Sequence, residues 1–357
     1  MPKSVNCQVV SLSLPALRTV VEILQVVQVF GNPIKYVTRK LPPNPSPSLS
    51  NLPPSTQPIQ SPTSISFIKK IQFAMPDFTI HDVLPLPQTP IKIPRIGFGV
   101  FQDPPNKPEC VKSCLAALEA GYRHIDTAQY YDNEEAVGEA VRQSGLERSD
   151  VFVTTKIQKP QGGVEETLES LRASVDRIGL GWVDLFLIHM PVSGPEGRRE
   201  MWKALEKLKD EGKTKSIGVS NFGVKHLEEM KGYSGTIPAV NQIELHPWLQ
   251  QSEIVDYCFK EGIVVEAYTP LVRALKNDEP DLVSIAEAHS VTPAQVLVRW
   301  SLQRGFVPLP KSYNPERIRS NADVYDFELS DEEMEKLNGK ALPGGEGAVC
   351  PYDVNCP

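Results

Sequence analysis

The chain has 357 residues, 40% hydrophobic and 23% charged, a balance ordinary for a globular protein. Its net charge of −7 is unevenly spread: residues 1–74 carry seven basic groups and one acid, so the rest of the chain stands at −13. An acidic body gives no support to nucleic-acid binding, which leans on neutralised phosphates, and no apolar run reaches the roughly 20 residues that span a bilayer.

Residues 1–74 hold 11 of the 33 prolines, and 41–66 is a Pro/Ser/Asn/Thr mixture without periodicity. Such a segment buries too little apolar surface to offset its ordering entropy, so a disordered extension is expected, dispensable to the mature protein. The apolar run Val20–Phe30 is short and broken by Glu22, Gln25 and Gln28, which argues against a signal peptide. Scarce acids would suit mitochondrial import, but arginine is scarce too, and a cytoplasmic protein is the expectation. Ordered sequence is expected over residues 75–357, with Met75 an alternative start. Of six cysteines, Cys110 and Cys114 stand one turn apart without a matching pair at zinc-site spacing, so thiols rather than metal ligands are expected. Cys350 and Cys356 could pair, an arrangement that a reducing compartment disfavours.

From Phe78 the chain becomes patterned. Phe78–Leu84 and Ile91–Ile96, with proline-rich turn residues between them, read as a hairpin. Eight short apolar runs follow: Arg95–Val100, Tyr122–Asp126, Val151–Thr155, Val183–Ile188, Thr214–Val219, Ala239–Gln242, Ile263–Tyr268 and Phe306–Leu309. They alternate with amphipathic helical stretches such as Cys110–Ala120, Glu134–Gln143, Val164–Ile178, Glu200–Asp210, Ser252–Lys260 and Pro293–Arg304. Alternation of this kind implies α/β architecture with a parallel sheet, and eight units over about 250 residues is the size of a (β/α)₈ TIM barrel. An open doubly wound sheet would show a glycine-rich dinucleotide turn early on. Gly97-Phe-Gly99 offers two glycines and no third, followed by no ribose-binding acid at the usual distance.

The residues at the strand ends form a pattern. Asp126, Lys156, His189, Ser220-Asn221, Asn241-Gln242, Tyr268-Thr269 and Lys311-Ser312 close seven of the eight runs. Singly each has a bland explanation: a cap, a solvated charge, a core imidazole. Together they put hydrogen-bonding or ionisable groups at one mouth, where barrels of this kind do chemistry. Asp126, Tyr131, Lys156 and His189 also make chemical sense as a group. A tyrosine with its ordinary pKa near ~10 is a weak acid at neutral pH. A lysine ammonium ~4 Å away favours the phenolate by up to about 4 kcal/mol at an effective dielectric of about 20. An aspartate holds that lysine charged, and a histidine donates to a substrate oxygen. No cluster suggests a metal.

The motifs Gly-Tyr-Arg-His-Ile-Asp-Thr-Ala-x-x-Tyr (121–131), Asn-Glu-Glu-x-Val-Gly (133–138), Leu-x-x-Ser-Val-x-Arg-Ile-Gly (171–179), Val-Asp-Leu-x-Leu-Ile-His-x-Pro (183–191), Ile-Gly-Val-Ser-Asn-Phe (217–222), Asn-Gln-Ile-Glu-Leu-His-Pro (241–247) and Pro-Lys-Ser-x-Asn-Pro-Glu-Arg-Ile (310–318) fall in one order. Through them the chain, from about Met75 to Asn338, resembles the aldo-keto reductase superfamily. The resemblance implies a (β/α)₈ enzyme, expected to be monomeric, that reduces a small aldehyde or ketone with NADPH, or runs in reverse on NADP⁺. Carried over by position, Tyr131 resembles the general acid, Lys156 and Asp126 its tuning pair, and His189 the group orienting the carbonyl. Ser220, Asn221 and Gln242 resemble the holders of the nicotinamide carboxamide, and Tyr268 the ring stacked on it, with Thr269 and Leu271 beside it. Lys311, Ser312 and Arg317 resemble the clamp on the 2′-phosphate and Asn321 a contact to adenine. The chain departs from common family patterns at Val100-Phe101, Met190 and Ser320. A nucleotide-holding regulatory subunit is the alternative that the same resemblance allows.

Overall fold

The structure is a computed structural model that describes residues 79–102 and 104–350. The expected extension 1–74, Phe78 and Cys356 lie outside these residues. Within them the chain opens on an antiparallel hairpin, β1 (Val83–Pro85) and β2 (Lys92–Pro94), in which Leu84 faces Ile93. This hairpin is shorter than the sequence pattern suggests. Thr79–Asp82 instead turns on itself, the Thr79 amide and hydroxyl both donating to the Asp82 carboxylate. Leu86 and Ile93 are buried with Phe152, Leu185, Leu187, Ala239 and Val240, so the hairpin covers one end of the sheet that follows.

That sheet has eight parallel strands in sequential order: β3 (Phe98–Gly99), β4 (His124–Asp126), β5 (Phe152–Ile157), β6 (Val183–Ile188), β7 (Thr214–Ser220), β8 (Val240–Glu244), β9 (Val264–Tyr268) and β10 (Val307–Leu309). The Gly97 and Gly99 amides donate to the Pro308 and Pro310 carbonyls at 3.0 and 3.2 Å, bringing the two edges together into a nearly closed barrel. Glycine is required at 97, where a Cβ would stand 2.5 Å from the His124 imidazole.

Helices separate the strands: α1 (Lys107–Glu119), α2 (Glu134–Gln143), α3 (Val164–Ile178), α4 (Gly194–Asp210), α5 (Val224–Met230), α6 (Ser252–Glu261), α7 (Pro280–Ala288), α8 (Pro293–Gln303), α9 (Pro315–Ala322) and α10 (Asp331–Asn338). Several begin as local chemistry dictates. Asn106 accepts from Glu109 N and Asn314 from Glu316 N and Arg317 N, while Thr292/Gln295 and Ser330/Glu333 form capping boxes. The predicted helix at 200–210 starts earlier, at Gly194, because Pro195 fits a first turn rather than breaking it. Lys156 lies inside β5 instead of past its end, since the ladder to β6 continues to Ile157–Ile188. Helices α5, α7, α9 and α10 lie outside the helical stretches named from the sequence.

Candidate active site

A cavity of about 980 Å³ opens at the C-terminal ends of the strands. Each site residue expected from sequence lines it except Lys156, which is wholly buried behind its wall. The Lys156 ammonium has three hydrogens and three acceptors: Asp126 Oδ1 at 2.6 Å, the Thr127 carbonyl at 3.0 Å and the Tyr131 hydroxyl at 3.4 Å. Burial opposes its charge, but Asp126, Tyr131 and Glu266 outweigh that, and its pKa is raised. Since Lys156 donates to the phenol oxygen, the hydrogen on that oxygen is one Tyr131 can give. Tyr130 belongs to the same turn but is 52% exposed and makes no ring contact with Lys156, which sits 4.9 Å from the Tyr131 ring centre. Of the two tyrosines, Tyr131 is the one whose hydroxyl accepts from Lys156.

The turn that carries both tyrosines is fastened at Gln129 and Asn133. Gln129 donates to Ser174 Oγ at 2.8 Å and accepts from the Gln158 amide, and Asp132 takes a left-handed conformation, which an Asp tolerates. Buried Asn133 accepts from Thr127 Oγ1 at 2.6 Å and donates to the Val100 carbonyl at 2.9 Å.

His189 follows β6 directly and its ring meets that of Tyr131 edge-on, centroids 5.5 Å apart. Burial, and then the Lys156 charge, push its pKa well below the ordinary value, so it is a neutral imidazole near pH 7 with one N–H to offer. Asn221, in a left-handed conformation at the end of β7, donates to the His189 carbonyl at 3.0 Å and accepts from the Tyr268 hydroxyl at 2.9 Å. The Ser220 hydroxyl donates to the Gln242 carbonyl at 2.8 Å. Gln242 Nε2 donates to Asp126 Oδ2 at 2.9 Å and Glu266 Oε2 at 2.8 Å.

At another part of the cavity Lys311, Arg273 and Arg317 line the wall together, with the Lys311 ammonium 3.3 Å from the Tyr313 ring centre. Burial and then the charges of Arg273 and Arg317 push Lys311 down to about 8. Cations crowded in this way favour a multiply charged anion, which a phosphate would supply. Arg317 also donates from Nε to Ser312 Oγ at 3.3 Å, and buried Asn321 completes this wall.

Several members of the site escape the sequence reading. Glu266, wholly buried on β9, is raised to about 8 by burial and then by Asp126. His124, also buried, donates to or accepts from Thr154 Oγ1 at 2.9 Å and is pushed down to about 3 by burial and then by Lys156. Glu266 precedes Tyr268 by two residues, and strand periodicity could have marked both for one face. Arg273 and Cys350 line the cavity from loops with no periodic signal. Cys350 is held there because the buried Glu244 carboxylate accepts from the Val349 and Cys350 amides. Among the described residues no group of three or more His, Cys, Asp or Glu side chains could hold a metal, and no helix is long and apolar enough to cross a membrane.

Comparison with known proteins gives the same direction. The Aldo/keto reductase family pattern matches residues 95–341. The chain is 49% identical over 247 residues to an aldo-keto reductase of Mycolicibacterium vanbaalenii, covering 69% of this chain and 88% of that one. It is 45% identical over 248 residues to a glyoxal reductase of Bacillus subtilis, covering 70% and 89%. Among solved structures, an aldo/keto reductase from Brucella melitensis superposes with a TM-score of 0.69 at 42% identity, over 72% of this chain and 99% of that one. A Bombyx mori aldo-keto reductase in complex with NADP superposes with a TM-score of 0.67 at 32% identity, over 72% and 93%.

Proposed function

The chain belongs to the aldo/keto reductase family, and from that premise we propose that it is an NADPH-dependent reductase of small aldehydes or ketones, with Tyr131 as the general acid. The observation that carries this reading is the Tyr131 hydroxyl at the cavity wall, bonded to an ammonium that is itself fully buried and paired with Asp126.

A carbonyl oxygen placed between Tyr131 and His189 meets two donors, the phenol and the neutral imidazole. As charge builds on that oxygen, Tyr131 passes its proton across and becomes a phenolate. The Lys156 charge, nearby and fully buried, stabilises that phenolate. Asp126 keeps Lys156 in position, and Gln242 and Glu266 hold Asp126 in turn. When bound, the reduced nicotinamide supplies the hydride. Asn221, Gln242, Ser220 and Tyr268 would hold its carboxamide and ring, with Thr269 and Leu271 alongside. Lys311, Ser312 and Arg317 would take the 2′-phosphate and Asn321 the adenine. The cation cluster supports NADPH over NADH, and the Bombyx mori relative's NADP complex agrees with that choice.

The test is consumption of reduced nicotinamide by the purified protein against a carbonyl panel that includes glyoxal, with NADPH and NADH compared. Carbonyl-dependent oxidation with NADPH preferred is expected. Arg317→Ala should weaken NADPH by tenfold or more, roughly the worth of one charge-assisted bond to phosphate, and NADH far less. Equal weakening of both would remove Arg317 from the phosphate clamp.

A further inference from the structure

Gln242 stands between two carboxyl groups. Its Nε2 donates to Asp126 Oδ2 at 2.9 Å and to Glu266 Oε2 at 2.8 Å. A primary amide nitrogen has two hydrogens, so both are used. What Gln242 has left to offer the cavity it lines is its oxygen, Oε1. The opposite orientation would turn that oxygen toward two carboxyl groups at a site where all three side chains are buried. The pair of carboxyl groups therefore fixes which end of the amide a ligand meets.

Both carboxyl groups are set by the barrel. Asp126 Oδ1 accepts from Lys156 at 2.6 Å, which leaves Oδ2 for Gln242. Glu266 is the direct partner of Gln242 in the register of β8 against β9, so the two side chains share one face of the sheet. Behind it His124 Nε2 lies 3.7 Å from Glu266 Oε1 and is itself 2.9 Å from Thr154 Oγ1. Among the described residues Oε1 of Glu266 has no hydrogen-bond partner, so the bond to Gln242 is the contact this carboxyl makes. A buried carboxyl is costly to keep, and holding Gln242 is a role that accounts for it.

We propose that Glu266 is a positioning residue for the cofactor: through Gln242 it presents an acceptor to the amide N–H of the nicotinamide carboxamide. The inference rests on the reductase reading above and adds the residue that selects a carboxamide at that place. Glu266 is wholly buried and does not line the cavity, so it acts only through Gln242. Without it one amide hydrogen of Gln242 loses its acceptor. The side chain can then turn about its last torsion, and Oε1 is no longer held toward the ligand.

The experiment is calorimetric titration, without carbonyl, of three ligands: NADPH, its reduced 3-acetylpyridine analogue and 2′-phospho-ADP-ribose. The analogue has a methyl group where NADPH has the amide nitrogen, and phospho-ADP-ribose has no nicotinamide at all. The wild-type protein should bind NADPH about 3- to 10-fold tighter than the analogue, the usual worth of one hydrogen bond. Glu266→Leu should remove that preference by weakening NADPH, while the analogue and phospho-ADP-ribose keep their wild-type affinities. Glu266→Gln, which retains an acceptor oxygen, should keep the preference, and Glu266→Met serves if the leucine protein does not fold. A merely structural role would weaken all three ligands together, and that result would overturn the proposal. So would a Glu266→Leu protein that still prefers NADPH, or a wild-type protein that binds NADPH and the analogue equally. If none of the three bound the wild-type protein, the NADPH reading itself would fail and the proposal with it.

Discussion

At the level of single residues one buried charge, that of Lys156, organises the site. Lys156 is surrounded by acceptors, and removing it leaves the buried Asp126 without its cation. Lys156→Met should therefore lower thermal stability, by about 3–5 kcal/mol if Asp126 stays ionised, and slow carbonyl reduction as well. Chemical denaturation and steady-state kinetics on the same protein check both. Lys311 gives a pH prediction of definite sign. Its pKa in the free protein is depressed to about 8, so the ammonium is charged below that value and is lost as pH rises through it. A bound phosphate favours the charged form. NADPH affinity should then decline above about pH 8, with proton uptake on binding, while NADH affinity stays nearly level. Fluorescence titrations of both cofactors between neutral and alkaline pH measure this, and parallel pH dependence for the two would contradict it. Much of the site was legible residue by residue. Asp126, Tyr131, His189 and Gln242 stand at or near strand ends, where an ionisable or polar group interrupts an apolar run. Glu266 was hidden because a single acid inside Val-Val-Glu-Ala-Tyr looks like an interruption of a strand, and only the register of β8 against β9 shows Gln242 opposite it.

The secondary-structure elements carry a second constraint, close approach between helices. Gly138 lies in the middle of α2, where alanine would ordinarily be the better helix former by roughly 0.5–1 kcal/mol. Here a Cβ would come within 1.7 Å of the Ile178 carbonyl at the end of α3. Backbone cannot move aside as a side chain tip does, so the usual sign reverses. Gly138→Ala should destabilise by at least about 1–3 kcal/mol, read as a lower denaturation midpoint. An unchanged or raised midpoint would show that α2 and α3 shift apart freely. Long amphipathic elements such as α3 were legible because their apolar period sustains itself over several turns. The short α5, α9 and α10 were not. A helix of seven or eight residues shows barely two periods, and these are held by caps and by packing on the barrel. β3 shrank to two residues for a related reason: Phe98 and Gly99 pair in register with β4, and beyond them one further bond, from the Val100 amide to the Asp126 carbonyl, joins the two, although the apolar run around them is longer.

For the whole molecule, the alternation of apolar runs and helices was enough to read the barrel, since eight strand–helix units imply a parallel sheet of this size. Closure could not be read from periodicity, because it depends on the Gly97 and Gly99 amides reaching the Pro308 and Pro310 carbonyls some 210 residues away. Closure is what gathers groups from eight separate strands around one cavity, and the central claim concerns what they do there. That claim is that Tyr131 gives the proton during carbonyl reduction. The most direct measurement mixes enzyme already loaded with NADPH with an excess of aldehyde and follows a single turnover of nicotinamide oxidation, in the wild-type and Tyr131→Phe proteins. The variant loses one hydroxyl and little volume, so its NADPH titration and melting temperature should match those of the wild type. Its oxidation rate should fall by about 10²–10⁴-fold, the range that general acid catalysis contributes. A Tyr131→Phe protein that oxidised NADPH at close to the wild-type rate would contradict the mechanism. A wild-type protein that bound NADPH but never oxidised it would favour a nucleotide-holding subunit instead.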